Sequence, residues 1–305
     1  MNLCLTVRSE RTHRFAFIEV KMMKPEVNEK NMVKTTISVG AEKPFRVLHI
    51  SDTHLTRCDE RDDERKMKLA AKRERIFPYQ EQMLDFAAEY AKKENIPILH
   101  TGDIIDFVSE ANLDYVKTFT AENDVFMVAG NHEFSLYVGE AWEDAAYRNQ
   151  SLSHVQESFT NDIRFSKREI GGVNFVAIDN SYYLFEKEQL DALKEVAKEG
   201  KPIVLLLHDP LYTERIYRYQ LEERGTECAY VVGAPEEKMT GYSDHRYRQQ
   251  RADTITKETV AYIKSEPLIR ALLIGHMHYD LEDAVTETLT QYLTGCETIR
   301  EITFI

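Results

Sequence analysis

Five short apolar runs in this 305-residue chain each end in side chains that can hold a metal ion or move a proton. Ile98-Leu99-His100 leads through Gly102 into Asp103, and Arg46 to Ile50 leads into Ser51-Asp52-Thr53-His54. Val125 to Ala129 ends in Gly130-Asn131-His132-Glu133, Ile203 to Leu207 in His208-Asp209-Pro210, and Leu268 to Ile274 in Gly275-His276-Met277-His278. Each has an ordinary explanation alone: Gly-Asp is a common turn, and a histidine after a strand is often structural. Five recurrences in one context point instead to a shared site. Apolar runs bounded by Gly or Pro read as buried strands, and in α/β sheets ligands gather beyond the carboxyl ends of strands. Asp52 and His54, two apart, can share one side of an extended backbone, and Gly102 lets the chain come close to whatever Asp103 holds. Neutral imidazoles with carboxylates suit Zn, Mn or Fe better than Mg or Ca.

The elements that must position these residues are partly legible. After Pro78, the residues Tyr79, Met83, Phe86, Ala87, Tyr90 and Ala91 recur at helical spacing, which predicts a helix that covers the sheet. The order strand, helix, strand from Arg46 to His100 implies a parallel pair joined by a crossover. Gly171-Gly172 links two further runs as a hairpin, and helices are expected over 186–199 and 256–265. Helices are also expected between Glu133 and Phe159, around Trp142. Strands are expected over 14–21 and 32–39, and closing strands over 288–293 and 299–304. Residues 57–75 hold eight basic and six acidic side chains, a mixture that reads as the solvated face of a helix. Residues 211–251 lack a clear period and are long enough to form a lid, with His245, Tyr212, Tyr217, Tyr219 and Tyr242 as candidate substrate contacts.

Composition narrows the classes. A hydrophobic share of 43% with 30% charged residues suits a globular protein, and no apolar run approaches the roughly 20 residues of a membrane span. Arg8 and Arg11 interrupt the start before a signal-peptide core could form, so a cytoplasmic location and no membrane partner are expected. Cys4, Cys58, Cys228 and Cys296 are scattered and read as free thiols. A net charge of −13 argues against non-specific wrapping of nucleic acid. It leaves an anionic substrate open, because bound dications can dominate a local field. The length suits a single domain over 1–305, with a core from about residue 45 and an N-terminal part of unassigned role.

The set Asp-x-His, Gly-Asp, Gly-Asn-His-Glu, His and Gly-His-x-His, from Phe45 to His278, resembles the calcineurin-like metallophosphoesterases. The resemblance implies a four-layer α/β/β/α sandwich, in which two central mixed sheets are flanked by helices. It further implies two transition-metal ions (Mn, Fe or Zn): Asp52, His54, Asp103 and His278 would hold one, and Asp103, Asn131, His208 and His276 the other. His132 would stabilise the transition state or protonate the leaving oxygen, and Asp106 would orient it, the alternative for Asp106 being a simple helix cap. Two such ions can clamp a phosphoryl oxygen and acidify a bridging water, so the resemblance implies hydrolysis of phosphoesters. The expected substrate is a small phosphorylated molecule such as a nucleotide, with a nuclease or a silent protein-binding scaffold as alternatives. Arg215, Arg218, Arg246, Arg248 and Arg251 could build a local basic stripe for the nuclease. After Asp106 the chain reads Phe107-Val108 where serine/threonine phosphatases of this family carry Arg-Gly, and Asp106 stands where purple acid phosphatases carry a metal-bound tyrosine. Both departures weaken those two subclasses.

Overall fold

The computed structural model describes residues 27–139 and 144–305; the strand expected over 14–21, Cys4 and Trp142 lie outside the described residues. The first half runs β1 (Met32–Ile37), β2 (Phe45–Ile50), α1 (Glu64–Arg73), α2 (Gln80–Glu94), β3 (Ile98–His100), α3 (Glu110–Glu122), β4 (Val125–Met127) and α4 (Ala145–Gln156). The second half continues with β5 (Phe165–Ile170), β6 (Val173–Ile178), α5 (Lys187–Ala197), β7 (Ile203–Leu206), α6 (Glu214–Arg218), α7 (Asp244–Gln250) and α8 (Thr254–Ser265). It closes with β8 (Ile269–Ile274), β9 (Leu281–Ala284), β10 (Thr290–Leu293) and β11 (Ile299–Phe304).

These strands form two mixed sheets. One has the order β1-β11-β2-β3-β4 and the other β5-β6-β7-β8-β10-β9. The pairs β2–β3 and β3–β4 are parallel, as the crossover pattern predicts, whereas β11 lies antiparallel to β2. β5 and β6 form the expected hairpin across Gly171-Gly172.

The apolar runs are continuous because the strands are buried on both faces. In β2, Val47 points into the layer between the sheets with Leu99, Phe126, Phe175, Val204 and Phe304. Its neighbours Leu48 and Ile50 face outward onto Met83, Leu84 and Ala87 of α2 and Leu113 and Val116 of α3. Leu193 and Val196 of α5 and Val260 and Ile263 of α8 cover the second sheet in the same way. The result is the four-layer α/β/β/α arrangement. α3 was not expected from sequence; Ser109 starts it by accepting the Asn112 N–H at 3.2 Å.

One polar bridge ties the layers together. Buried His49 on β2 contacts the Thr101 hydroxyl at 2.9 Å and, through its other ring nitrogen, the Thr294 hydroxyl beyond β10 at 2.9 Å. Among the described residues no helix is long and apolar enough to cross a membrane.

Candidate metal centre

The polar ends of β2, β3, β4, β7 and β8 converge on one spot. Asp52, His54 and His278 offer ligand atoms within 4.8 Å of one another, and so do Asp103, His208 and His276. Asp103 joins the two groups: its Oδ2 lies 3.2 Å from His208 Nε2 and 3.8 Å from His54 Nε2. The Nε2 atoms of His54 and His278 are 3.0 Å apart, and His208 Nε2 is 3.2 Å from His276 Nδ1. Asn131 completes the set, with a buried Oδ1 that has no hydrogen-bond partner among the described residues.

The neighbours select which imidazole nitrogen is left as a lone pair. His54 Nδ1–H donates to Asp106 Oδ1 at 3.0 Å, and His208 Nδ1–H donates to the Thr101 carbonyl at 2.7 Å. In both rings Nε2 therefore faces the centre. The Tyr183 hydroxyl lies 3.0 Å from His276 Nε2, which leaves Nδ1 inward. His132 is held in a similar way: its Nδ1–H donates to the Asp106 carbonyl at 2.6 Å.

Burial pushes His276 down to about 3 and lowers His54 as well, so both rings are neutral. Burial also favours the neutral acid at Asp52 and Asp103, yet the imidazoles of His278 and His208 outweigh it and hold both carboxyls below their usual range. Burial lowers His208 too, but Asp103 raises it well above its ordinary value. Two buried carboxylates thus create a field that calls for positive charge, and the three inward-facing ring nitrogens beside them form a donor set suited to a transition-metal cation.

The backbone route was not legible in the sequence. Asp52, His54, Asp103, His276 and His278 all have φ between 50° and 67°, a region that costs a non-glycine residue roughly 1 to 3 kcal/mol. Asp52 and His54 therefore do not share a side because the chain is extended; left-handed turns at both residues aim them. Such strain persists only where the surroundings over-determine it. The glycines allow the close approach. A Cβ on Gly102 would stand 2.5 Å from the Gly130 nitrogen and 2.7 Å from His208 Nδ1, and one on Gly130 would stand 2.3 Å from Asp103 Oδ1.

A supporting ring was largely missed. Glu133 is buried and accepts the N–H groups of Gly130 (2.5 Å), Asp103 (2.8 Å) and Ile104 (2.8 Å), pinning the loops after β3 and β4 together. Burial, aided by the charge of Asp103, pushes its carboxyl up to about 7. Its place in Gly-Asn-His-Glu was the available signal. Arg73, at the end of α1, grips Asp106 with two bonds, Nε to Oδ2 at 2.6 Å and Nη2 to Oδ1 at 2.7 Å. Phe77 then stacks on the His54 ring at 4.0 Å between centroids. The charged stretch over 57–75 is thus not only a solvated face: its last turn reaches the site. Asp106 caps no helix; it is fully buried and serves His54 and His132 at once.

A cavity of about 230 Å³ opens above the centre, lined by Asp103, Asn131, His132, His276 and His278 on the floor and by Gln220, Arg224, Thr226 and Tyr230 from the 211–251 segment. That segment does form a wall, but the five side chains proposed as contacts do not line it. Tyr212, Tyr217 and Tyr242 pack against the helix-side core of the second sheet, and Tyr219 faces an adjoining groove with Tyr279.

The fold and the convergence of these residues define a metallophosphoesterase-like architecture, and the family comparison agrees. The family model for calcineurin-like phosphoesterases matches residues 45–280, and the chain belongs to that family. A comparison with curated proteins finds no match. Among solved structures, a dimetal phosphatase from Danio rerio is similar over 83% of this chain and 88% of its own, at 13% identity and a TM-score of 0.46. Phosphopantetheinyl hydrolase from Mycobacterium tuberculosis is similar over 86% and 90%, at 11% identity and a TM-score of 0.41. An NAD nucleotidase from Haemophilus influenzae is similar over 84% of this chain but only 45% of its own length, at 12% identity and a TM-score of 0.39.

Proposed function

We propose that the protein is a dinuclear-metal-dependent hydrolase of small phosphoesters, either a phosphatase or a phosphodiesterase. The observation that carries this reading is the position of Asp103, one carboxylate facing both ligand clusters, with the orphaned Asn131 Oδ1 beside it. Asp52, His54, Asp103 and His278 would hold one ion, and Asp103, Asn131, His208 and His276 the other, with Mn, Fe or Zn matching the donor set. When bound, two such ions supply Lewis acidity toward a phosphoryl oxygen and acidify water for attack.

The chain's own residues do the rest. His132, tethered through Nδ1 to the Asp106 carbonyl, lines the cavity beside Asp103 and Asn131, where an imidazole can serve the leaving oxygen or the developing charge. Asp106 holds His54 and His132 in register while Arg73 holds Asp106. A nucleic-acid substrate gains no support from the arginines expected to build a basic stripe: Arg215, Arg218, Arg246 and Arg251 each face a carboxylate, and Arg248 Nε donates to the Asp244 carbonyl.

The test is hydrolysis of p-nitrophenyl phosphate and bis-p-nitrophenyl phosphate after loading with Mn, Fe, Zn or no metal, with bound metal counted in each sample. Wild type should need metal and hold two ions. Asp103→Asn should lose metal and turnover together, whereas His132→Ala should keep both ions and lose most turnover. Two bound ions with no turnover of either ester would sink the reading.

A further inference from the structure

The 211–251 segment bears on which phosphoesters the site selects. Arg224 differs from the segment's paired arginines in two respects. Among the described residues no carboxylate forms an ion pair with it, and it lines the cavity over Asp103, Asn131, His132, His276 and His278. Its guanidinium stands 5.1 Å from the centroid of the Tyr279 ring, on the residue after His278, and Tyr279 meets Tyr219 edge to face at 5.0 Å.

Its position is built rather than left to a loose loop. Arg224 follows a π-helical turn at Tyr219–Glu223, a rare geometry that recurs at functional sites. Gln220 in that turn is buried, and its amide donates to the Met277 sulfur at 2.6 Å, between His276 and His278. The Thr226 N–H and hydroxyl both donate to the Gln220 carbonyl, at 3.0 and 2.9 Å. The turn that carries Arg224 is thereby pinned to the loop that carries two of the metal-site histidines.

A guanidinium over an aromatic face, with its donors unspent on a carboxylate, is suited to phosphate oxygens, which it meets with a planar fork. The scissile phosphate belongs to the cavity floor, and Arg224 stands on the wall beside it. The groove beyond Tyr279 carries Glu214, Glu222, Glu223 and Asp280 against Arg215 and Arg218, a lining with more carboxylates than arginines that favours an anion less than the Arg224 side does. Resting on the phosphoesterase reading, we infer that Arg224 binds a second phosphate of the substrate, so that the site selects organic bisphosphates or diphosphates over monophosphates.

The test measures dissociation constants of AMP, ADP and adenosine 3′,5′-bisphosphate by calorimetry on the full-length, metal-loaded protein. Wild type should bind at least one of the two doubly phosphorylated nucleotides about tenfold or more tighter than AMP, the scale of a charged hydrogen-bonded contact. Arg224→Ala should bring that ratio toward one, and Arg224→Lys, which keeps charge but not the fork, should fall between. An unchanged ratio in Arg224→Ala, or no preference in wild type, overturns the inference while two bound ions and AMP binding leave the phosphoesterase reading standing. A wild-type protein that takes up no metal and binds no nucleotide overturns both.

Discussion

Replacing Arg73 by Met keeps a similar aliphatic stem and removes the guanidinium, whose carbon lies 5.0 Å from the Phe77 ring centroid. Asp106 is fully buried, and its Oδ2 is held by Arg73 Nε at 2.6 Å while its Oδ1 is shared by Arg73 Nη2 at 2.7 Å and His54 Nδ1 at 3.0 Å. Breaking one side of a buried ion pair costs about 3–5 kcal/mol. Arg73 is 16% exposed, so water can reach part of the gap and about 2–4 kcal/mol is expected. Burial alone would raise the Asp106 pKa, but Arg73 and His54 outweigh it and hold it below the usual range. The contribution is therefore complete above about pH 4 and declines as the pH falls toward the depressed folded value. Urea denaturation of wild type, Arg73→Met, Asp106→Asn and the double variant at neutral pH isolates the pair. The two changes should couple by about 2 kcal/mol, and the deficit of Arg73→Met should shrink in acid. Additivity within about 0.5 kcal/mol would refute the claim that the charged 57–75 segment is tied to the site through this contact.

Two further predictions follow from other contacts. Tyr183→Phe removes the hydroxyl 3.0 Å from His276 Nε2 and should weaken one of the two metal equivalents by about tenfold or more; competitive chelator titration would show one equivalent changing and the other not, and equal loss of both would count against the assignment. Burial, with Arg300 nearby, holds His49 well below the usual histidine value, so the folded state refuses a proton that the unfolded chain accepts. Its contribution is present above about pH 6.5 and is lost as the pH falls, at up to about 1.4 kcal/mol per pH unit. In His49→Gln the fall in urea stability from pH 6.5 to 5 should be shallower by that amount, and an unchanged slope would show that His49 titrates normally.

Much of the candidate site was legible because the residues that form it follow strands. A strand buried on both faces is mostly apolar, so the polar residues that follow each run stand out, Asp52, Asp103, Asn131, His208 and His276 among them. α3 was less legible: Leu113, Val116 and Phe119 share its buried face, yet Asn112 and Thr120 are buried with them and blur the pattern. Arg73 was hidden for a different reason. Nothing in a run of mixed charges distinguishes the arginine that reaches Asp106, because that depends on where α1 lies relative to the loop after β3.

The sequence by itself determined which side chains could do chemistry, their order along the chain, and the two-faced strands that bring their ends to one edge. Only the tertiary structure decided that Asp103 faces both ligand clusters, that five site residues sit in left-handed backbone, and that Asp106, Thr101 and Tyr183 orient the histidine rings. Those features depend on contacts between residues tens to hundreds of positions apart, such as His276 N–H on Asp52. Local propensity cannot carry that information, because the strain at each candidate ligand is offset only by bonds that exist once both sheets are packed.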